Sequence, residues 1–410
     1  MNIRKITYSI SLILIVGLIV VLSSCGRLSE LMPEPTDPND ITIGVIVSLT
    51  GKDAAPYGLP MKRGFILARD EINAMTDLNI TFILEDDKSS EEGAIKAVEN
   101  LVERNVPAIV GIAISDYLED AFPIAQENGI VAFSSVSSAA GLSSIGDYVF
   151  RAGLATNIMI PSGVMLTKGA LGYTKAATIY DSEDTYSISS NEEVVKALTA
   201  SGVEILTQET IKTGDTDFDM QLGSIMSMQP DALFISALSD EMTELIIQAG
   251  KKGITETTQL IVPDLTNTEV QAAGDAAEGA IAFTNWFSES DAPGNKMFVQ
   301  NYMTEYGIEA EPWAAQSYAT LYILANAISN ATDNSSSAIR DALAQTKDFQ
   351  TILGNFSFDP NGEALYNPVV LIAKDGVLVV PDITEVSVPE VSDAAEDTDA
   401  AGDSTPEDTQ

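Results

Sequence analysis

The chain has 410 residues, 45% of them hydrophobic, enough for two domains or one large bilobal unit with a substantial core. Lys and Arg total 21 against 60 Asp and Glu, a net charge of −39, which excludes the basic footprint that a nucleic-acid partner requires. Histidine is absent, which removes Ser-His-Asp and Cys-His nucleophile systems, histidine-ligated zinc and the usual near-neutral proton shuttle, so no metal and no cofactor is expected.

Arg4 and Lys5 precede an apolar run from Ile10 to Leu22, then Ser23, Ser24 and the single cysteine, Cys25. At about 13 residues the run is short of the ~20 that span a membrane, and its order is that of a secretory signal: positive, apolar, then small residues at the cut. The Leu22-Ser23-Ser24-Cys25 run resembles a bacterial lipobox, which implies a signal peptide over residues 1–24 and diacylation of Cys25. The alternatives for Cys25 are an ordinary buried thiol and an uncleaved anchor. Residues 25–40, with Pro33, Pro35 and Pro38, read as a tether that at ~3.3 Å per residue holds a globule up to about 50 Å from the lipid. An anionic chain is repelled by anionic lipid, so membrane lipid would be engaged through the acylated cysteine.

Short β-rich runs then alternate with amphipathic ones. Ile41–Val47 is nearly continuous in apolar character, as parallel-sheet strands are. A helix is predicted over Met61–Met75, a strand over Ile80–Leu84, and a helix over Ser90–Asn105 with Ala94, Ile95, Val98, Leu101 and Val102 on one face. Further strands are predicted at Ala108–Val110, Ile130–Phe133, Ala176–Ile179, Val203–Leu206, Ala232–Ile235 and Gln259–Val262, with helices at Asn191–Ala200 and Asp240–Lys252. The βα alternation argues for parallel sheets with helices on both faces, and about ten strands argue for two α/β lobes rather than one sheet. The acidic stretch 381–410, without a basic residue, reads as a disordered tail.

In such sheets ligands bind beyond the carboxyl ends of the strands. Here those ends lead into Ser48-Leu49-Thr50-Gly51, into Gly111 to Ser115, into Ser134 to Ser138, and into Pro263-Asp264. Hydroxyls and helix N-termini suit a carboxylate, and Asp264 suits an ammonium group. Each of these residues has a second reading as a helix or turn cap. Rival motifs fail: Asp215, Asp217 and Asp219 start like a calcium loop, but Met220 and Met226 occupy the positions that need glycine and a bidentate acid. Glu85-Asp86-Asp87 closes a strand, where adjacent acids point to opposite sides and make no acid/base pair.

An ordered set of short motifs carries a family resemblance. It comprises Ile43-Gly44-Val45 through Leu49-Thr50-Gly51, Tyr57-Gly58, Gly64, Glu71-Ile72-Asn73, Glu85-Asp86-Asp87, Ile109-Val110-Gly111 with Ser115, and Pro123-Ile124-Ala125 to Gly129-Ile130. Downstream come Thr213 to Phe218, Pro230-Asp231-Ala232, Ala277-Glu278-Gly279 and Tyr318. From about Ile41 to Val380 the chain resembles the type I periplasmic solute-binding proteins of the branched-chain amino acid family, the receptors of ABC importers. The resemblance implies two Rossmann-like lobes, 41–151 plus 285–353 and 152–284 plus 354–380, joined by crossings near Arg151-Ala152, Thr284-Asn285 and Gly354. It places Ser115 and Ser138 on a ligand α-carboxylate, Val136 at a backbone contact, Asp264 on the α-ammonium, and Tyr57, Tyr186 and Leu238 on the cleft wall.

It further implies a monomeric, extracytoplasmic receptor, not an enzyme, that closes on an amino acid and delivers it to an ABC permease. The alternative is a sensor lipoprotein of the same fold that signals rather than transports.

Overall fold

A computed structural model describes residues 39–381; the leader, Cys25, the tether up to residue 38 and the acidic stretch from residue 382 lie outside the described residues. The first sheet is built from β1 (Asp40–Val47), β2 (Asn79–Asp86), β3 (Ala108–Gly111), β4 (Val131–Ser134) and β5 (Val149–Arg151), in the order β2-β1-β3-β4-β5. Every pairing in it is parallel. Its crossovers contain α1 (Leu59–Met75), α2 (Glu91–Glu103) and α3 (Ser115–Glu127). Helix α2 begins where the Ser90 side chain accepts a hydrogen bond from the Gly93 N–H at 3.1 Å, a standard N-cap.

The second lobe runs through α4 (Thr156–Leu171), β6 (Lys175–Asp181), α5 (Thr185–Ala200), β7 (Glu204–Ile211), α6 (Asp219–Met228), β8 (Ala232–Ser236), α7 (Ser239–Lys251), β9 (Gln259–Pro263), α8 (Asn267–Ala273) and β10 (Ile281–Thr284). The chain then returns to the first lobe with α9 (Asn295–Tyr306), α10 (Pro312–Asn330) and α11 (Ser336–Leu343), and a small antiparallel sheet of β11 (Phe349–Thr351), β12 (Gly354–Phe358) and β13 (Ala364–Leu365). It ends on β14 (Val369–Lys374) and β15 (Val377–Val379), which complete the second sheet in the order β15-β14-β10-β9-β8-β6-β7. Only β14 and β15 pair antiparallel there.

Alternation along the central strands shows how this sheet is covered on both sides. Phe234, Ile261 and Phe283 belong to the apolar cluster that continues into the first lobe, whereas their neighbours Leu233, Ile235, Leu260, Val262 and Ala282 pack into a second cluster on the opposite face.

One expected boundary is corrected. Gly354 is not a crossing: it sits in the β11–β12 hairpin with φ of +110°, a conformation that glycine adopts without penalty. The chain beyond it stays in the first lobe, where Phe358 packs edge-on to Phe133 and Phe150, 5.6 and 5.1 Å between ring centroids. There Glu363 pairs with the fully buried Arg151, Nε to Oε2 3.0 Å, so the third passage between lobes lies between Leu365 and Val369. Residues 354–365, expected in the second lobe, therefore belong to the first.

Candidate functional site

The loops beyond β1, β3 and β4 in one lobe and beyond β6, β8 and β9 in the other face each other across a single crevice, at the carboxyl ends of both sheets. A small cavity of about 30 Å³ lies between them. Tyr57, Ser115, Val136 and Ser138 line it from the first lobe, and Tyr186, Leu238 and Asp264 from the second. All seven residues singled out in the sequence are thus brought to one place. Ala113, Ile114, Ala237, Ser239, Met242, Glu269 and Trp313 complete the wall, and among the described residues no lysine or arginine is part of it.

Local backbone demands explain why the first-lobe residues sit where they do. Ahead of α1 the chain makes a π-type turn over Ala54–Gly58 that carries Tyr57, a distortion often found at functional sites. A Cβ on Gly58 would lie 1.7 Å from the Ser48 carbonyl oxygen, so only glycine permits this approach to the end of β1. Gly111, with φ of +120°, brings β3 against Ile46 in the same way and releases the loop that ends at Ser115, the first residue of α3.

The hydroxyls of the Ser134–Ser138 loop divide their work. Those of Ser134 and Ser137 donate to the Ile112 carbonyl at 3.0 and 3.3 Å and so tie two pocket loops together, while Ser138 faces the cavity. The Ser115 hydroxyl accepts a long bond of 3.4 Å from the Ala139 N–H.

Asp264 follows β9 with φ of +60°, an uncommon state for a residue with a side chain, held by its own N–H donating to the Phe283 carbonyl at 2.9 Å. Its alternative reading, a cap for the next helix, is taken by other residues: Thr266 caps α8 in a capping box with Glu269. Asp264 is only 9% exposed, and among the described residues no cation pairs with it. Burial raises its carboxyl to about 7; a hydrogen bond from Tyr186 pulls it down and the charge of Glu269 pushes it further up.

Glu269 was not anticipated as part of the site. Its carboxylate accepts from the Ser239 hydroxyl at 2.5 Å and from the Thr266 N–H at 3.0 Å, so it is satisfied internally. The Thr266-Asn267-Thr268-Glu269 run is the sequence pattern of a capping box, which marks the helix start but not the crevice. Trp313, from α10, reaches the site in a tilted ring contact with Tyr57, 5.7 Å between centroids, a contact between residues far apart in the chain that no local pattern reveals.

Two lobes in contact, each an α/β layer structure, with a crevice between their strand ends, have the architecture of a solute-binding protein. The chain belongs to the periplasmic binding protein family, which matches residues 40–373, and its fold is the type I form. Among curated relatives, the leucine-, isoleucine-, valine-, threonine- and alanine-binding protein of Pseudomonas aeruginosa is 23% identical over 329 residues, 79% of this chain and 87% of that one. The Leu/Ile/Val-binding protein BraC3 of Rhizobium johnstonii is 26% identical over 337 residues, 79% and 89% of the two chains.

Among solved structures, the leucine-binding protein LivK of Thermotoga maritima superposes with a TM-score of 0.79 at 25% identity, covering 83% of this chain and 97% of that one. The isoleucine complex of LivJ from Streptococcus pneumoniae gives 0.74 at 26%, covering 83% and 100%. A Rhodopseudomonas palustris solute-binding protein holding 3,4-dihydroxybenzoic acid shares the fold, with a TM-score of 0.75 at 20% identity over 83% and 95% of the two chains. These relatives are binding proteins of transporters, not enzymes. No helix among the described residues is long and apolar enough to cross a membrane.

Proposed function

We propose that this chain is the lipid-anchored, extracytoplasmic receptor of an ABC importer and that its ligand is an α-amino acid, with the branched-chain aliphatics as first candidates. The buried, unpaired Asp264 carries the reading. A carboxylate left in an apolar crevice without a cation is costly, and a ligand ammonium supplies the missing charge. Across the crevice Ser115 and Ser138 offer hydroxyls to the ligand carboxylate, and the first turn of α3 adds unpaired N–H groups and partial positive charge.

The two ends of one zwitterion thus belong to different lobes, so binding draws the lobes together through contacts that only the closed form makes. Leu238, Met242 and Trp313 leave the remaining wall apolar, which suits an aliphatic side chain. A simple aromatic acid fits poorly, because its carboxylate would add to Asp264 and Glu269 with no cation to balance them.

Calorimetry with L-leucine, L-isoleucine, L-valine, L-alanine and benzoate tests this. Saturable heat is expected from one or more amino acids and none from benzoate; binding of benzoate alone would sink the reading. Asp264→Ala should weaken amino-acid binding by at least a hundredfold while the empty protein melts within a few degrees of wild type. The anchor rests on the lipobox resemblance, and its check is separate. Cys25→Ser should release the protein from washed membranes, and retention would refute acylation at this residue.

A further inference from the structure

The three passages between the lobes do not merely run side by side. Asn285, immediately after β10 and 2% exposed, joins them through one side chain. Its Oδ1 accepts from the Leu154 N–H of the first passage at 3.1 Å and from the Tyr366 hydroxyl of the third at 3.2 Å. The one Tyr366 hydroxyl proton is shared between Asn285 Oδ1 and the Ala152 carbonyl, 2.9 Å away, which ties the third passage to the first. A backbone N–H can only donate, so Oδ1 must face Leu154 and Nδ2 must face the other way. That way lies the ligand crevice: Nδ2 points at Asp264 Oδ1, 3.4 Å off, at the long end for such a bond.

We infer that Asn285 is a positioning residue that couples occupation of the Asp264 carboxylate to the hinge, because one amide holds the first and third passages at its oxygen and the site acid at its nitrogen. The inference rests on Asp264 being the ligand-binding acid. Among the described residues Asp264 has only neutral donors, Asn285 and Tyr186, to hold it. An arriving ammonium fixes the carboxylate in its ionised form, which strengthens the bond from Nδ2. A firmer grip on Asn285 leaves its oxygen set for Leu154 and Tyr366, so the hinge stiffens in the geometry that closes the crevice. Neither Leu154 nor Tyr366 lines the cavity, so both report on the hinge rather than on ligand contact.

Two measurements on the purified full chain test this. In the empty protein, Asp264→Ala should lower hydrogen-exchange protection of the Leu154 amide about tenfold, although Asp264 does not touch Leu154. Unchanged protection overturns the inference whatever ligand the pocket takes. With L-leucine as probe, Tyr366→Phe should weaken binding about fivefold, and its effect should shrink when Asp264 is already Asn. Strictly additive losses overturn it too, since groups that are not coupled add. If wild-type protein bound no amino acid while Asp264→Ala still loosened Leu154, the amino-acid reading would fall and the hinge coupling would stand.

Discussion

Asp264 is the residue at which burial, backbone strain and charge meet. Its carboxyl is moved from the ordinary 3.8 to about 7, so the folded empty protein binds a proton there that the unfolded chain releases above pH 4. Stability from this group is therefore present below pH 3.8 and lost as pH rises to about 7, at up to about 1.4 kcal/mol per pH unit. Urea unfolding of the empty protein between pH 5 and pH 8 should show that loss relative to Asp264→Asn, in which the slope from this site disappears. Equal slopes would mean that the site admits water and the carboxyl titrates normally. The placing of Asp264 just past a strand was legible in the sequence. Its burial without a cation was not, because that depends on how the two lobes meet around it, whereas the Thr266-to-Glu269 cap that frees it is a local pattern.

Among the elements, α1 and α10 make the closest large packing surface of the first lobe. Gly64 on α1 lies so near α10 that a Cβ there would stand 2.1 Å from the Ala314 carbonyl oxygen. That backbone cannot step aside without moving Trp313, its neighbour on α10 and part of the crevice wall. Gly64→Ala should cost about 1–3 kcal/mol in thermal or urea unfolding and also weaken ligand binding, since over-packing shifts the backbone of the neighbouring helix. A stable variant with normal affinity would show that the helices can separate without disturbing the site. Strands with continuous apolar runs, such as β1, β8 and β9, were readable from composition. The strands β5 and β10 were not anticipated, although β3 and β4 are as short and were; pairing with β4 and β9 is what makes them strands.

For the molecule as a whole, several hydrogen bonds cross the crevice, and one carboxylate pair works against them. Asp116 on α3 accepts from the Thr185 hydroxyl at 2.5 Å, and the Tyr57 hydroxyl accepts from the Ser239 N–H at 3.0 Å. The Ala140 N–H donates to the Ser189 hydroxyl at 2.9 Å, and Thr268 donates to Glu311. Against these stands Asp184, whose carboxyl burial raises to about 7, with the facing Asp116 adding to the shift. Burial thus favours the protonated form of Asp184 here, and its ionisation sets a second carboxylate against Asp116.

Asp184→Asn keeps the cap on α5, where Asp184 accepts from the Ser187 N–H at 2.7 Å, and can donate to Asp116 instead. Affinity for a bound amino acid at pH 8 should rise about fivefold, the worth of roughly 1 kcal/mol for one added hydrogen bond. Weaker binding at pH 8 would show that Asp184 acts in closure as an anion.

Composition and local pattern alone determined the alternation of strand and helix, the two-lobe α/β class and the strand ends that carry polar loops. Those properties follow from periodicity and from glycine and serine at fixed positions, all of which act over a few residues. Tertiary structure decided where the third passage runs, that Asp264 is buried with no cation beside it, and that Trp313 and Glu269 share a wall. These are contacts between segments distant in the chain, set by how sheets and helices stack, and no stretch of sequence contains them.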